Sequence, residues 1–332
     1  MKEKSIFQSF GFVMILCFSM LLMTKQAFSW GFYSHKVITR HAIFCLPSEM
    51  VGFYKKHMEF LIEHSIDPDK ISRVNPDEAP RHYIDMEHFG DPDEIPLYWK
   101  DAVKKYTEDS LKSYGVLPWH ISTMLFRLTQ AFRDEDPFRI LLISSRAGHY
   151  IADATMPLHT TKYYNGRRPD QRGIHAFWET RIPEMIAPEF DFFVGKATYI
   201  ENGQIKAWEI VKQTHAQVDT VYMIYDNLMT TFKPDQIYVY DTRGTVTSRN
   251  YSREFVDAFE KASHHQIERN MRTAIFWVAS FWYTAWVDAG QPDLNRLLDK
   301  DVLKQMKKEQ QAIDKMWRTG KNTVRPNPED EE

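Results

Sequence analysis

The residues of this chain that could do chemistry crowd into one stretch. From Gly148 the sequence reads Gly-His-Tyr-Ile-Ala-Asp-Ala-Thr-Met-Pro-Leu-His-Thr-Thr, then passes a polar loop, then reads Gly-Ile-His-Ala-Phe-Trp-Glu-Thr up to Thr180. His149 and Asp153 are four apart, so on a helix they share a face and can hold one ion between them. His175 and Glu179 repeat the spacing, and His159 follows Pro157 between the two pairs. Three imidazoles and two carboxylates fall within 31 residues. One such pair alone is usually a surface salt bridge. Two pairs joined by a further histidine, on a segment that also carries Ile140, Leu141, Leu142, Ile143 and Ile151, are not explained that way. Burying imidazole and carboxylate among aliphatic side chains is costly unless hydrogen bonds or coordination compensate. Zinc suits a nitrogen and oxygen donor set of this kind.

The elements that must position these groups read as helices. Ser34 caps a first helix through Phe44, which Pro47 ends, and Ser48 caps a second to about His64. Residues 65–100, rich in Asp and Pro, read mostly as loop. Pro118 opens a helix with Ile121, Met124, Leu125, Leu128 and Phe132 on one face. Asp136-Pro137 is a cap followed by a first-turn proline, and starts a long apolar helix ending near Pro157. Residues 160–173 form a polar loop or short hairpin. Apolar steps of three and four run from Trp208 to Tyr225 along one helix, and from Phe255 to Phe281 along another. A last helix covers roughly Leu294 to Trp317. No alternating strand series and no glycine-rich phosphate loop appears.

Further candidates lie upstream. Lys2 and Lys4, the apolar run Phe10–Met23 and Ala27-Phe28-Ser29 compose a signal peptide over 1–29, which makes Trp30 the new N-terminus and the protein secreted or periplasmic. Cys45 is then the one cysteine left, which excludes an intramolecular disulfide and a cysteine metal site. His35 follows Trp30 by five residues, Asp85 ends Arg81-His82-Tyr83-Ile84-Asp85, and His120 sits in the first turn opened by Pro118.

Taken together, Trp30, His35, Asp85, His120, His149, Asp153, His159, His175 and Glu179 resemble, in order, the ligand set of a superfamily. It joins the bacterial zinc-dependent phospholipases C to the single-strand-specific zinc nucleases of fungi and plants (the S-one/P-one type). The resemblance implies an all-α fold: a single multi-helix domain over 30–319 with a buried trinuclear zinc site. The segment 320–332, with Pro326, Pro328 and four terminal acids, reads as a disordered acidic tail. It implies about three zinc ions. One takes Asp85, His120, His149 and Asp153. A second takes Trp30 and His35 and shares Asp153. A third takes His159, His175 and Glu179. It also implies a phosphodiester hydrolase in which metal-activated water attacks phosphorus, with Asp85 orienting that water and accepting its proton.

The substrate stays open between two classes. The short Trp30–His35 gap and His-Tyr-Ile-Asp favour the nuclease branch and single-stranded nucleic acid, which is the leading reading. Glu179 in place of Asp, the Pro118-Trp119-His120 context and the short 159–175 loop favour a phospholipase C acting on phospholipid head groups. A non-catalytic, zinc-stabilised phosphate-binding module is the rival from another class. His88, Tyr163 and Tyr164 are the candidate substrate contacts. His215, on its apolar stripe, reads as a satisfied core histidine. The formal net charge of −3 moves to −5 if residues 1–29 leave, which argues against a high-affinity duplex binder. No obligate protein partner is evident.

Overall fold

Glycine, proline and capping residues cut the apolar stripes of this chain into helices. The computed structural model describes residues 31–243, 246–297 and 301–320. The expected signal segment, Trp30 and the tail from 321 lie outside the described residues. Helix α1 spans Phe32–Phe44, and then come α2 (Ser48–Lys56), α3 (Met58–His64) and α4 (Asp67–Ser72). After three 3₁₀ turns follow α5 (Trp99–Tyr106), α6 (Glu108–Tyr114), α7 (Leu117–Arg133) and α8 (Pro137–Asp153).

Helix α8 starts as its sequence predicts. The Asp136 carboxylate accepts from the Arg139 amide at 3.0 Å, and Pro137 fills a first-turn position whose N–H would lack a partner anyway. Helix α8 lies beside α7, and both pack against the long helix α15 described below. The contact with α15 is close because Gly148 has no side chain. A Cβ there would meet Val278 at 3.2 Å and Trp282 at 3.3 Å. The Trp282 indole N–H donates to the Ser144 carbonyl at 2.8 Å, which fixes the rotation of α8 one turn before His149.

The short helix α9 (Ile174–Ala176) runs into a π-helical turn, Phe177–Arg181, and then α10 (Ile182–Ile186). Helices α11 (Gly203–His215), α12 (Val218–Thr231) and α13 (Pro234–Ile237) lead to a β-hairpin of Tyr238–Arg243 against Val246–Tyr251. The chain closes with α14 (Arg253–Ala262), α15 (Gln266–Asp288) and α16 (Asp301–Thr319). Helix α15 packs on α1, α7 and α8, so these four surround the centre of the bundle. No described helix is long and apolar enough to cross a membrane.

The architecture is all-α apart from that hairpin, as expected, and several local expectations need correction. The stretch 65–100 is mostly turn and loop, as expected, but Asp67-Pro68 opens the short helix α4 within it. The second expected helix breaks at His57, and each of the two later stripes divides into two helices. One division falls at His264 and His265, both left-handed with φ of 52° and 59°. Ser34 does not cap α1. Gly31 precedes the helix, and Ser34 is buried within it, donating from Oγ to the Glu179 carbonyl at 3.2 Å. The hairpin was not anticipated. Its inner pair, Tyr238 and Tyr251, is anchored by packing of Tyr251 on Phe177, 4.3 Å between ring centroids.

Candidate metal centre

Asp153 ends α8 in the middle of the bundle, fully buried, with four imidazole nitrogens around one carboxylate. Its Oδ2 lies 3.0 Å from His82 Nδ1 and 3.3 Å from His149 Nε2. Its Oδ1 lies 3.4 Å from His35 Nε2 and 3.4 Å from His159 Nδ1. The helices explain the convergence. His35 comes from the first turn of α1, His149 from one turn earlier on α8, and His159 from the 3₁₀ turn Pro157–His159 that follows it. The His35 and His149 rings stack 3.8 Å apart.

Asp69 joins them from α4. Its Oδ1 lies 3.5 Å from His149 Nε2 and 3.8 Å from His82 Nδ1. Thus His82, His149 and Asp153 form one close donor group, His35, Asp69 and His149 a second, and His159, His175 and Glu179 a third. In the third, Glu179 Oε2 lies 3.1 Å from His175 Nε2 and 3.6 Å from His159 Nε2. Glu179 lies within the π-helical turn, a local widening of the helix that recurs at functional sites. The start of α1 docks on the same residue, since the Gly31 amide donates to the Glu179 carbonyl at 3.2 Å.

Backbone carbonyls set the imidazole tautomers. His149 Nδ1 donates to the Ser65 carbonyl at 2.7 Å, leaving the Nε2 lone pair toward the carboxylates. His175 Nδ1 donates to the Tyr164 carbonyl at 3.2 Å, leaving Nε2 toward Glu179. Such outer contacts orient metal-binding histidines and raise their basicity. The charge pattern calls for a cation. Burial opposes a charge on His149, yet Asp153 and Asp69 outweigh it and raise its pKa to about 9. Burial, then Asp69 and Asp153, push Glu179 well above the usual carboxylate range, while Arg73 pulls the other way. Burial holds His159 well below its usual value. Both Glu179 oxygens and Asp69 Oδ2 are sealed from solvent without a hydrogen-bond donor. Facing lone pairs of nitrogen and oxygen, no sulfur, and orphaned buried carboxylate oxygens fit zinc.

Comparison with known proteins agrees. A family model described as zinc dependent phospholipase C matches residues 34–233. The chain belongs to the zinc-dependent phospholipase C family. Zinc is therefore its metal, and the family is one of hydrolases acting on phosphodiester bonds. Two solved structures of similar shape are the alpha toxin from Clostridium absonum and the alpha-toxin of Clostridium perfringens from an avian strain. The first has 13% identity and a TM-score of 0.43, with 81% of this chain aligned. The second has 14% identity and a TM-score of 0.46, with 78% aligned. The chain spans about 65% of the length of each toxin chain. No curated relative matches the sequence. The match lies on the phospholipase side, so the nuclease-like reading that leads from sequence is without support, and its phospholipase alternative fits better.

Within this family member, the structure brings together His35, His149, Asp153, His159, His175 and Glu179. Trp30 lies outside the described residues. Asp85 and His120 are not among the converging groups. Asp85 is buried in a rib that runs beside His159, where the Ile84 amide donates to the His159 carbonyl and the Asp85 amide to the Tyr114 carbonyl. His120 stands edge-on to Tyr150, 4.4 Å between centroids, on the wall of a separate cleft of about 540 Å³. Burial, then Arg81 and Arg127, hold it well below the usual histidine value. Where the resemblance implies Asp85 and His120, the groups lying closest to His149 and Asp153 include Asp69 and His82. The Arg81–Asp85 stretch singled out by sequence also supplies His82. Sequence reading does not single out Asp69, because its stretch reads as loop there, although Asp67-Pro68 opens α4.

The candidate substrate contacts are also redistributed. His88 is exposed and stacks on Tyr114 at 3.8 Å. Tyr164 is buried, and its carbonyl orients His175. Tyr163 is half-buried, and its carbonyl accepts from the Tyr222 hydroxyl. A fourth acidic group, Glu260 with His265 and Glu268, serves the fold, because the Glu260 carboxylate accepts the Ile267 and Glu268 amides at the start of α15.

Proposed function

We propose that this protein is a phospholipase C-type phosphodiesterase that cleaves phospholipids on the glycerol side of the phosphate. The observation that carries this reading is the convergence of Asp69, His82, His149 and Asp153 beside His159, His175 and Glu179, in a member of the zinc-dependent phospholipase C family. Zinc, when bound, would supply Lewis acidity and bring the pKa of a water down to about 7.

The side chains divide the remaining work. Asp153 places one oxygen toward the His82–His149 group and the other toward His35 and His159, so a single carboxylate ties the groups into one centre. The Ser65 and Tyr164 carbonyls keep His149 and His175 in the coordinating tautomer. Asp69 faces His149 with one oxygen, and its Oδ2 has no hydrogen-bond donor. We assign Asp69 Oδ2, in place of Asp85, as the acceptor of the attacking water's proton. The Arg73 guanidinium, four residues on, adds a fixed positive charge felt by Asp69 and Glu179 and so favours an anionic substrate. Export follows the same reading: residues 1–29 are removed, and the protein acts outside the cytoplasm.

The test is turnover of bis-(p-nitrophenyl) phosphate by the chelator-treated and zinc-restored protein, followed by phosphatidylcholine vesicles and single-stranded DNA. Zinc-dependent release of diacylglycerol is the expected result. Turnover that survives verified zinc removal, or cleavage of DNA with no action on phospholipid, would overturn the proposal.

A further inference from the structure

Helix α16 lies beyond the residues that the family model matches and takes no part in the chemistry above. Its inner face grips the helices that carry the metal donors. Glu309 pairs with Arg146 at 2.7 Å, three residues before His149. Asp314 pairs with Lys70 at 3.6 Å, next to Asp69. Trp317 lies 4.5 Å from the Arg73 guanidinium and 6.1 Å from the Phe32 ring. Val302, Met306 and Ile313 are buried beneath the helix.

The opposite face is different in kind. Lys304, Lys308, Lys315 and Arg318 step by four, seven and three, so they fall on one face of the helix, with Lys307 beside them. All five are exposed. Glu309 and Asp314, acids of the same helix, are spent on Arg146 and Lys70, so none of the five cations has a carboxylate partner among the described residues. The acids at 329–332 lie outside the described residues and do not enter this count. A chain of net charge −3 thus shows an unneutralised row of cations about 21 Å long, from a rise of about 1.5 Å per residue.

We propose that this row is the surface by which the protein seats on an anionic phospholipid bilayer. The inference rests on the phospholipase reading, which requires a soluble protein to work at a lipid surface. Charge complementarity picks the occupant. A straight row made mostly of lysine point charges matches a plane of anionic head groups. A nucleic acid strand would want aromatic platforms between the cations. On α16 the aromatic, Trp317, is turned to Arg73 instead. The row lies about one helix width, roughly 10 Å, outside the contacts at Lys70 and Arg73, so seating there brings the bilayer to the outer wall of the metal centre.

The experiment is co-sedimentation of the zinc-loaded full chain with phosphatidylcholine vesicles, with and without about 30% phosphatidylserine, at two salt concentrations. Binding should require phosphatidylserine and weaken with salt. Each lysine near such a surface is worth about five-fold in partitioning, so Lys304→Gln, Lys308→Gln and Lys315→Gln together should lose on the order of 100-fold. Circular dichroism and the melting temperature of the triple variant check that it is folded. A folded triple variant that binds as well as the parent overturns the proposal. So does equal binding to pure phosphatidylcholine, or retention of single-stranded DNA by these lysines with no vesicle binding. Salt-sensitive vesicle binding without zinc-dependent diester turnover would sink the phospholipase reading and leave the docking face standing.

Discussion

At the scale of single residues, the centre turns on carboxylates that look alike in sequence and differ in surroundings. Asp153 touches four imidazoles, while Asp69 touches two and keeps one oxygen without a donor. Asp153→Asn should therefore lower zinc content and melting temperature together, because the amide cannot balance the charge of two metal groups. Elemental analysis beside thermal melts reads both, and a variant with full zinc would count against the bridging role. Asp69→Asn should leave much of the zinc and cut kcat on a soluble diester by about 10²–10⁴, the usual worth of a positioned base. Asp85→Asn serves as the contrast. It lies outside the converging groups, and near-parent kcat with full zinc is expected. If instead Asp85→Asn lost the activity and Asp69→Asn kept it, the base would be Asp85.

At the scale of elements, the metal groups exist because short segments are held at fixed angles. The π-helical turn carries Glu179, and the entry of α1 is pinned to it through Gly31 and Ser34. That pinning needs glycine. A Cβ on Gly31 would sit 2.5 Å from Thr180 Oγ1 and 3.2 Å from Thr180 Cα, and backbone cannot swing away as a side-chain tip can. Gly31→Ala should therefore push the start of α1, and His35 with it, off the Glu179 turn. The expected cost is about 1–3 kcal/mol of stability, with weaker zinc retention in a chelator competition. Parent-like stability and zinc retention would show that the close approach is dispensable.

At the scale of the whole molecule, zinc and folding should be linked, because the candidate donors come from α1, α4, α8, the segment around His82 and the π-helical turn. Without metal, the proton on His149 takes the place of a cation. Its folded pKa is raised, to about 9, so its contribution is fully present below about 6.5, the unfolded value, and is lost as pH rises through about 9. Glu179, raised by burial, acts in the same direction: its neutral form stabilises at low pH, and that contribution is lost as pH rises. Zinc needs both groups without their protons, so its hold tightens over the same window. Melting temperatures with and without zinc should differ more at about pH 8.5 than at about pH 6. A gap that shrinks with rising pH would contradict the linkage.

The sequence by itself determined what periodicity and local spacing can encode. The helical class, the Asp136-Pro137 start of α8, and the grouping of His149, Asp153, His159, His175 and Glu179 were all legible. Pairs four apart on one helix must share a face, and a turn after Pro157 brings His159 back beside them. The β-hairpin and the break at His264–His265 were not legible, because a short strand pair and a left-handed residue outside glycine are decided by what packs on them. Only the tertiary structure decided which distant residues lie beside the His149–Glu179 group. Asp69 and Asp85 are the same side chain, each in an Asp- and Pro-rich stretch, and so are His82 and His120 to a pattern reader. Packing of α4 against α8 carries Asp69 to His149, while Asp85, in the rib beside His159, belongs to none of the close donor groups. Coordination depends on distances of a few ångströms across the fold, and these are set by the packing of helices far apart in sequence.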